Sequence, residues 1–263
     1  MEFKVNNRRV YAYTGGRGLV TEQPTVVFVH GSGLDHTVWI LQSRYFAHHG
    51  FNVLALDLPG HGRSEGPFLP SVEETADWVI QLMDAATVTQ AAIVGHSMGA
   101  LVSLEAAARC PARVSSLSLL GISVPMPVTE TLLSAAAADD HAAIDMVNIW
   151  GYSAGAQLGG NTVPGMWMTG GGVRLLERAS PGALHNDLKA CNDYQVGLES
   201  ATRVSCPVTL LLGEQDMMAS PRSAAELLGA IDGARSVVLP SCGHMMMAEQ
   251  PDGVLDALKG ALC

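Results

Sequence analysis

Short apolar runs bounded by Gly, Pro or Asp recur along the chain: TVVFV from Thr25, NVLAL from Asn52, AAIVGH from Ala91, SSLSLL from Ser115, PVTLLL from Pro207 and RSVVL from Arg235. Unbroken runs of this kind suit strands buried on both faces, as in a parallel sheet covered by helices. Between most of them lie stretches of helical character. VWILQSRYFAHHG ends in a glycine stop, SVEETADWVIQLMDAA opens on a serine with an acid three residues on, as in a capping box, and MGALVSLEAAARC stops before a proline. The alternation predicts an α/β fold with a doubly wound, mostly parallel sheet. Phe3–Val5 and Val10–Tyr13 read as an antiparallel hairpin at one edge.

The alternation stops between about Pro125 and Ser205. There the sequence turns to PMPVTETLLSAAAADDHAAIDMVNIWGY, a glycine-rich SAGAQLGGNTVPGMWMTGGG, and helix-like VRLLERA and ALHNDLKACNDYQVGLES. A loop of this length without structure of its own is uncommon, so an inserted helical cap over 125–205 is expected, with the core formed by 1–124 and 206–263.

Composition narrows the function classes. The 263 residues are 48% hydrophobic and 15% charged, enough to bury a sizeable core. Lys and Arg number 15 against 25 Asp and Glu, a formal charge of −10, and no basic run is present to engage phosphate backbones. Nucleic acid is not an expected partner. The cysteines, at 110, 191, 206, 242 and 263, are odd in number and show no metal-ligand spacing, so neither a disulfide framework nor a metal site is expected. With no signal-like leader and no run of the roughly 20 apolar residues that span a bilayer, a cytoplasmic location without membrane insertion is expected.

The chemistry points to Gly95-His96-Ser97-Met98-Gly99. A strand runs directly into a helix with Ser97 at the junction, the context of a nucleophile elbow. The helix N-terminus behind it favours developing negative charge. A serine hydroxyl needs a base and a group to orient that base. His244 follows one predicted strand in SCGH, and GEQD, with Glu214 and Asp216 as rival acids, follows another; Asp139 and Asp140 sit within the expected cap. Strand ends share one edge of a parallel sheet, so residues far apart in sequence converge there. Attack on an ester carbonyl also requires oxyanion donors. HGSG after the strand TVVFV supplies the Ser32 N–H, and the residue after the nucleophile supplies the Met98 N–H. Of the other histidines, His30 and His61 are expected to bond backbone in their turns, and His96 to support the elbow while facing away from the cleft.

With HGSG, DLPGHGRS (Asp57–Ser64), GHSMG, GEQD and CGH in this order, the chain resembles the α/β-hydrolase-fold superfamily over nearly its whole length, in its serine-nucleophile, esterase-like branch. The resemblance implies an eight-stranded sheet, a helical cap over the active site and Asp216 rather than Glu214 as the acid. DLPGHGRS reads as structural, with Asp57 and its glycines shaping a turn that Arg63 and Ser64 fix. Ser97 argues against epoxide hydrolases and haloalkane dehalogenases of the fold, which use Asp at that place. Met245 stands where meta-cleavage carbon–carbon hydrolases commonly carry Trp. HGSG lacks the proline usual in cofactor-free haloperoxidase relatives.

The function read from the chain is therefore a cofactor-free serine hydrolase of small, largely apolar carboxylic esters. The soft side chains Met166, Trp167, Met168, Met217, Met218, Met245, Met246 and Met247 suggest an apolar pocket, with Trp167, Met218 and Met245 its foremost candidates. Lactone, thioester or carbon–carbon cleavage by the same triad, a ligand-sensing protein with slow turnover, and association as a homodimer stay open.

Overall fold

A computed structural model of the chain describes residues 1–160 and 165–262. Cys263 and residues 161–164 of the glycine-rich stretch lie outside the described residues. One sheet is built from β1 (Glu2–Val5), β2 (Arg8–Tyr13), β3 (Thr25–Val29), β4 (Asn52–Leu56), β5 (Ala91–His96), β6 (Val114–Leu120), β7 (Val208–Gly213) and β8 (Arg235–Leu239). Its spatial order is β1-β2-β4-β3-β5-β6-β7-β8. The first two pairings are antiparallel and the rest parallel, which is the eight-stranded, mostly parallel sheet of the expected fold, with the N-terminal hairpin on one edge.

The helices are α1 (Ile40–His48), α2 (Val72–Ala85), α3 (Met98–Arg109), α4 (Glu130–Ala137), α5 (His141–Gly151), α6 (Ala154–Gln157), α7 (Met168–Glu177), α8 (Ala183–Asp193), α9 (Gly197–Ala201), α10 (Ala225–Ala230), α11 (Met246–Glu249) and α12 (Pro251–Leu262). The capping box before α2 forms, with Ser71 Oγ accepting from Glu74 N at 3.1 Å. Side chains alternate between the two faces of each strand. Val27 and Val29 of β3 join Leu101 and Leu104 of α3 on one face, while Val26 and Phe28 join Phe46 of α1 and Leu258 of α12 on the other. Both faces are thus covered, which is why the central strands read as unbroken apolar runs. None of the described helices is long and apolar enough to cross a membrane.

From β3 the chain steps outward to β4, then returns to pair β5 on the other side of β3. Open parallel sheets bind ligands at such a reversal, beyond the carboxyl ends of the strands. Here those ends are Val29 and His96, paired near the top of the register through Val29 and Gly95.

Between β6 and β7 the described residues form α4 to α9 and no strand. The glycine run Gly170–Gly172 was expected to lie outside the helix but sits within α7. Packing outweighs the low helix propensity of glycine there, because a Cβ at Gly170 would lie 2.2 Å from the Trp167 ring. The stretch 125–205 is also not uniform. Leu132, Ala136, Ala143 and Leu188 form a small core of their own, whereas Cys191, Tyr194 and Ala201 belong to the main core.

Two buried polar contacts tie this insertion to the sheet. Glu105 of α3, 2% exposed, accepts from Tyr194 Oη at 2.7 Å and Ser200 Oγ at 2.6 Å. Asp187 of α8 meets His61 Nε2 at 3.0 Å and accepts from Gly33 N at 2.8 Å. Burial opposes the charge on both members of the second pair, yet each outweighs it for the other: the His61 pKa lies above the ordinary histidine value and the Asp187 pKa below that of a carboxylate. The contribution of His61 is complete below its unfolded value of about 6.5 and is lost as pH rises through its raised folded value; that of Asp187 is lost only as pH falls through its lowered value.

Two predictions follow from these ties. Asp187→Asn should destabilise the protein by about 1–3 kcal/mol at pH 6, and the gap from wild type in thermal unfolding should narrow as pH is raised to 9. A gap that stays constant over this range would show that the pair does not titrate there. Tyr194→Phe, which removes one bond to a buried carboxylate, should cost about 1.5–3 kcal/mol in urea unfolding.

Candidate active site

β5 passes into α3 with a single residue between them, and that residue is Ser97, at φ 55° and ψ −120°. Positive φ is strained for a residue with a Cβ, costing on the order of 1–3 kcal/mol. The surroundings enforce it. Ser97 N donates to Leu120 O at 2.9 Å, prolonging the ladder with β6, while Ala100 N already donates to Ser97 O at 2.8 Å in the first turn of α3. Strand, helix and β3 approach too closely for side chains on either side: a Cβ at Gly95 would lie 2.2 Å from Gly99 O, and one at Gly99 2.4 Å from His30 O and Val29 O. Glycine is required at both positions.

Asp216 stands in the turn after β7 and is buried. Its Oδ1 accepts from Met218 N and Ala219 N, both at 2.8 Å, and its Oδ2 meets His244 Nδ1 at 2.7 Å. One carboxylate oxygen thus fixes the turn and the other fixes the imidazole. His244, in the segment after β8, is equally buried, and its Nε2 has no hydrogen-bond partner among the described residues. A carboxylate oxygen facing Nδ1 places the ring proton there, leaving the Nε2 lone pair free to accept. The rival acid Glu214 is exposed and accepts from Ser241 N at 2.7 Å, bracing the loop before His244. Asp140 caps α5 through Ala142 N, and Asp139 accepts from Gly182 N.

Ser97 and His244 line one pocket of about 170 Å³, together with Ser32 from the loop after β3. Met98 is buried at the start of α3, where first-turn amides have no intrahelical acceptor. No hydrogen bond among the described residues occupies the Ser32 or Met98 amide. The rest of the wall comes largely from the insertion and is apolar, and no Asp, Glu, Lys or Arg lines the pocket among the described residues.

The expected pocket residues divide. Met218 and Met245 line this pocket, with Met217 beside them and Met126 added from the chain after β6. Trp167 does not. It is 78% exposed, its ring folds over Gly170 of its own helix, and with Met166 it edges a separate groove, so hydrophobicity alone gave its direction wrongly. Met246 and Met247 pack in the core beneath the sheet.

His96 also departs from expectation. Its ring stands 4.7 Å from that of His244, lines the pocket and bonds His244 O through Nε2 at 3.0 Å. Burial, reinforced by the neighbouring His244, pushes its pKa well down, so it braces the His244 backbone as a neutral ring. His30 bonds backbone as expected, at Gly31 O and Leu58 N, and burial lowers its pKa to about 4. His61 does so at Pro59 O but also holds Asp187.

The turn Asp57–Ser64 is fixed as its residues suggest: Asp57 accepts from His36 N, His36 Nδ1 and Arg63 N, and Ser64 Oγ donates to Asp57 O. Asp35, His36 and Asp57 bring ligand-type atoms within 4.8 Å of one another, but Thr37, Arg178 and Arg63 already engage the two carboxylates.

Two contributors escaped sequence reasoning. Gly121, just past β6, runs beneath the His244–Asp216 pair, where a Cβ would lie 2.9 Å from His244 Nδ1. Its only signal is a glycine directly after a strand. Asp187 carries no local signal, because its partners come from loops more than a hundred residues earlier.

Comparison with known proteins agrees with this architecture. The chain is 23% identical to the (E)-2-((N-methylformamido)methylene)succinate hydrolase of Acinetobacter baylyi over 98% of this chain and 95% of that one. It is 27% identical to a pimeloyl-[acyl-carrier protein] methyl ester esterase of Nitrosospira multiformis, over 88% and 91%. Among solved structures, the enol-lactonase of Burkholderia xenovorans superposes with a TM-score of 0.87 at 23% identity, covering 99% of this chain and 98% of that one. The model of the alpha/beta hydrolase family matches residues 26–257, from the second residue of β3 to the middle of α12. Sheet order, the Ser97 junction and that match agree: the chain belongs to the alpha/beta hydrolase family.

Proposed function

We propose that the protein hydrolyses small, largely apolar carboxylic esters through an acyl-enzyme on Ser97. The observation that carries this reading is the buried Asp216–His244 pair facing the same uncharged pocket as the strained Ser97. His244 Nε2 takes the proton from Ser97 Oγ as the oxygen attacks the ester carbonyl carbon. The carbonyl oxygen becomes an oxyanion, received by the Ser32 and Met98 amides. The C–O bond to the alcohol then breaks, and the alcohol leaves with the proton held on His244. Water, deprotonated by the same Nε2, attacks the acyl carbon and releases the acid, returning Ser97 to its starting state. Asp216 stays ionised throughout and stabilises the imidazolium.

The pocket supports the substrate class. A largely apolar wall with no Asp, Glu, Lys or Arg among its described residues disfavours a phosphorylated or carboxylate-rich substrate, and methionines at 126, 218 and 245 fit irregular apolar groups. In this reading the helical stretch 125–205 serves as the cap, keeping water from the acyl-enzyme until the alcohol has left. The names of the relatives, an ester esterase and an enol-lactonase among them, lie within the same acyl-transfer chemistry.

Short p-nitrophenyl esters provide the test. Ser97→Ala should lower kcat by about 10³-fold or more, with the fold intact by circular dichroism, and equal activity in the two proteins would sink the proposal. Asp216→Asn, which reverses the tautomer of His244, should lower kcat by about 10⁴-fold.

A further inference from the structure

Two polar side chains of the pocket have no part in that reaction. Asn148 and Tyr152 stand one helical turn apart at the end of α5, are 6% and 5% exposed, and line the pocket that holds Ser97 and His244. Asn148 spends its Nδ2 on Ile144 O, 2.8 Å away in its own helix, which leaves Oδ1 as the free end of the amide. Neither that oxygen nor the Tyr152 phenol has a hydrogen-bond partner among the described residues. Neither oxygen is sealed off, and both residues line the pocket. Polar groups left unspent within the protein on the wall of a ligand pocket mark a place where a ligand brings its own polar group.

Gly172 of α7 packs closely against the pair. A Cβ on it would lie 2.2 Å from Asn148 Oδ1 and 2.9 Å from the Tyr152 phenol oxygen. The two oxygens therefore stand close enough together for one ligand group to meet both, and any side chain at 172 would collide with them. This gives a use to the last glycine of the run Gly170–Gly172, which lowers helix propensity where it stands. The chemistry of the pair is specific. Asn148 Oδ1 only accepts; the phenol, whose pKa burial raises, stays protonated at neutral pH and donates. With no Asp, Glu, Lys or Arg on the wall among the described residues, the matching group is neutral, gives one hydrogen bond and takes one.

We infer that Asn148 and Tyr152 are a second recognition point for substrate, so that the ester cleaved at Ser97 carries a neutral hydroxyl or amide on its chain rather than a plain alkyl tail. The inference rests on the ester-hydrolase reading and deepens it by naming what the substrate must present besides the reacting carbonyl. A site built to bond such a group discriminates against an analogue lacking it far more strongly than an apolar pocket separates chain lengths.

The test uses p-nitrophenyl acyl esters in two series, one carrying a hydroxyl and one an amide, at chain positions that cannot close on their own carbonyl. Each is paired with its methyl or methylene isostere. At one position of one series, wild-type kcat/KM should exceed that of the isostere by about tenfold or more, and the series in which this occurs identifies the group. Tyr152→Phe and Asn148→Leu should each bring the ratio towards one, as should Gly172→Ala, which covers both oxygens. A wild-type ratio near one at every position in both series overturns the inference, whatever the variants do.

Calorimetric binding of the same esters to Ser97→Ala separates the two readings. Preference for the polar ester in binding, with no turnover by the wild type, supports the recognition point while the hydrolase reading fails. Wild-type turnover that requires Ser97 but shows no preference leaves the hydrolase reading standing and removes this one.

Discussion

Everything at the site depends on how closely β5, α3 and β3 are pressed together around Ser97. Contact at 95 and 99 admits no side chain, so the backbone turns within one residue and Ser97 is driven to positive φ. That strain is small beside what holds it: a buried strand ladder on one side, a helix packed through its whole length on the other, and apolar layers on both faces of the sheet. A side chain at either glycine would push the helix off the strand and take the first turn of α3, with its free amides, away from the pocket.

The remaining groups are set on this frame by hydrogen bonds that leave little freedom. Asp216 has both carboxylate oxygens engaged, one on its own turn and one on His244, while His96 holds the His244 backbone from the other side. The imidazole is thus bonded at Nδ1 and steadied behind, while its Nε2 has no partner among the described residues. Rigid placement of this kind is what positioning of reacting groups requires.

How much of this was legible in the sequence follows from how local each signal is. Ser97, Asp216 and His244 each follow a strand, and strand ends announce themselves through apolar runs stopping at Gly, Pro or Asp. The sheet was legible for the same reason, since burial on both faces writes itself as unbroken hydrophobicity. Direction was not. Trp167 and Met218 look alike as apolar residues, yet one ring lies outside and the other side chain lines the pocket, because orientation is decided by neighbours from other segments. The run Gly170–Gly172 reads as a loop from propensity, and only the Trp167 ring, Asn148 and Tyr152 packed against it explain a helix there. Asp187 is in the same position: nothing beside it in the chain distinguishes it from any acid on a helix.

That acid links two parts of the molecule that the sequence keeps apart. Asp187 grips His61 and, with the same oxygen, the amide of Gly33, the residue next to Ser32. One carboxylate oxygen thus ties α8 both to the turn that holds His61 and to the loop that carries Ser32. Swinging α8 outward by itself would therefore pull on the loop that carries Ser32.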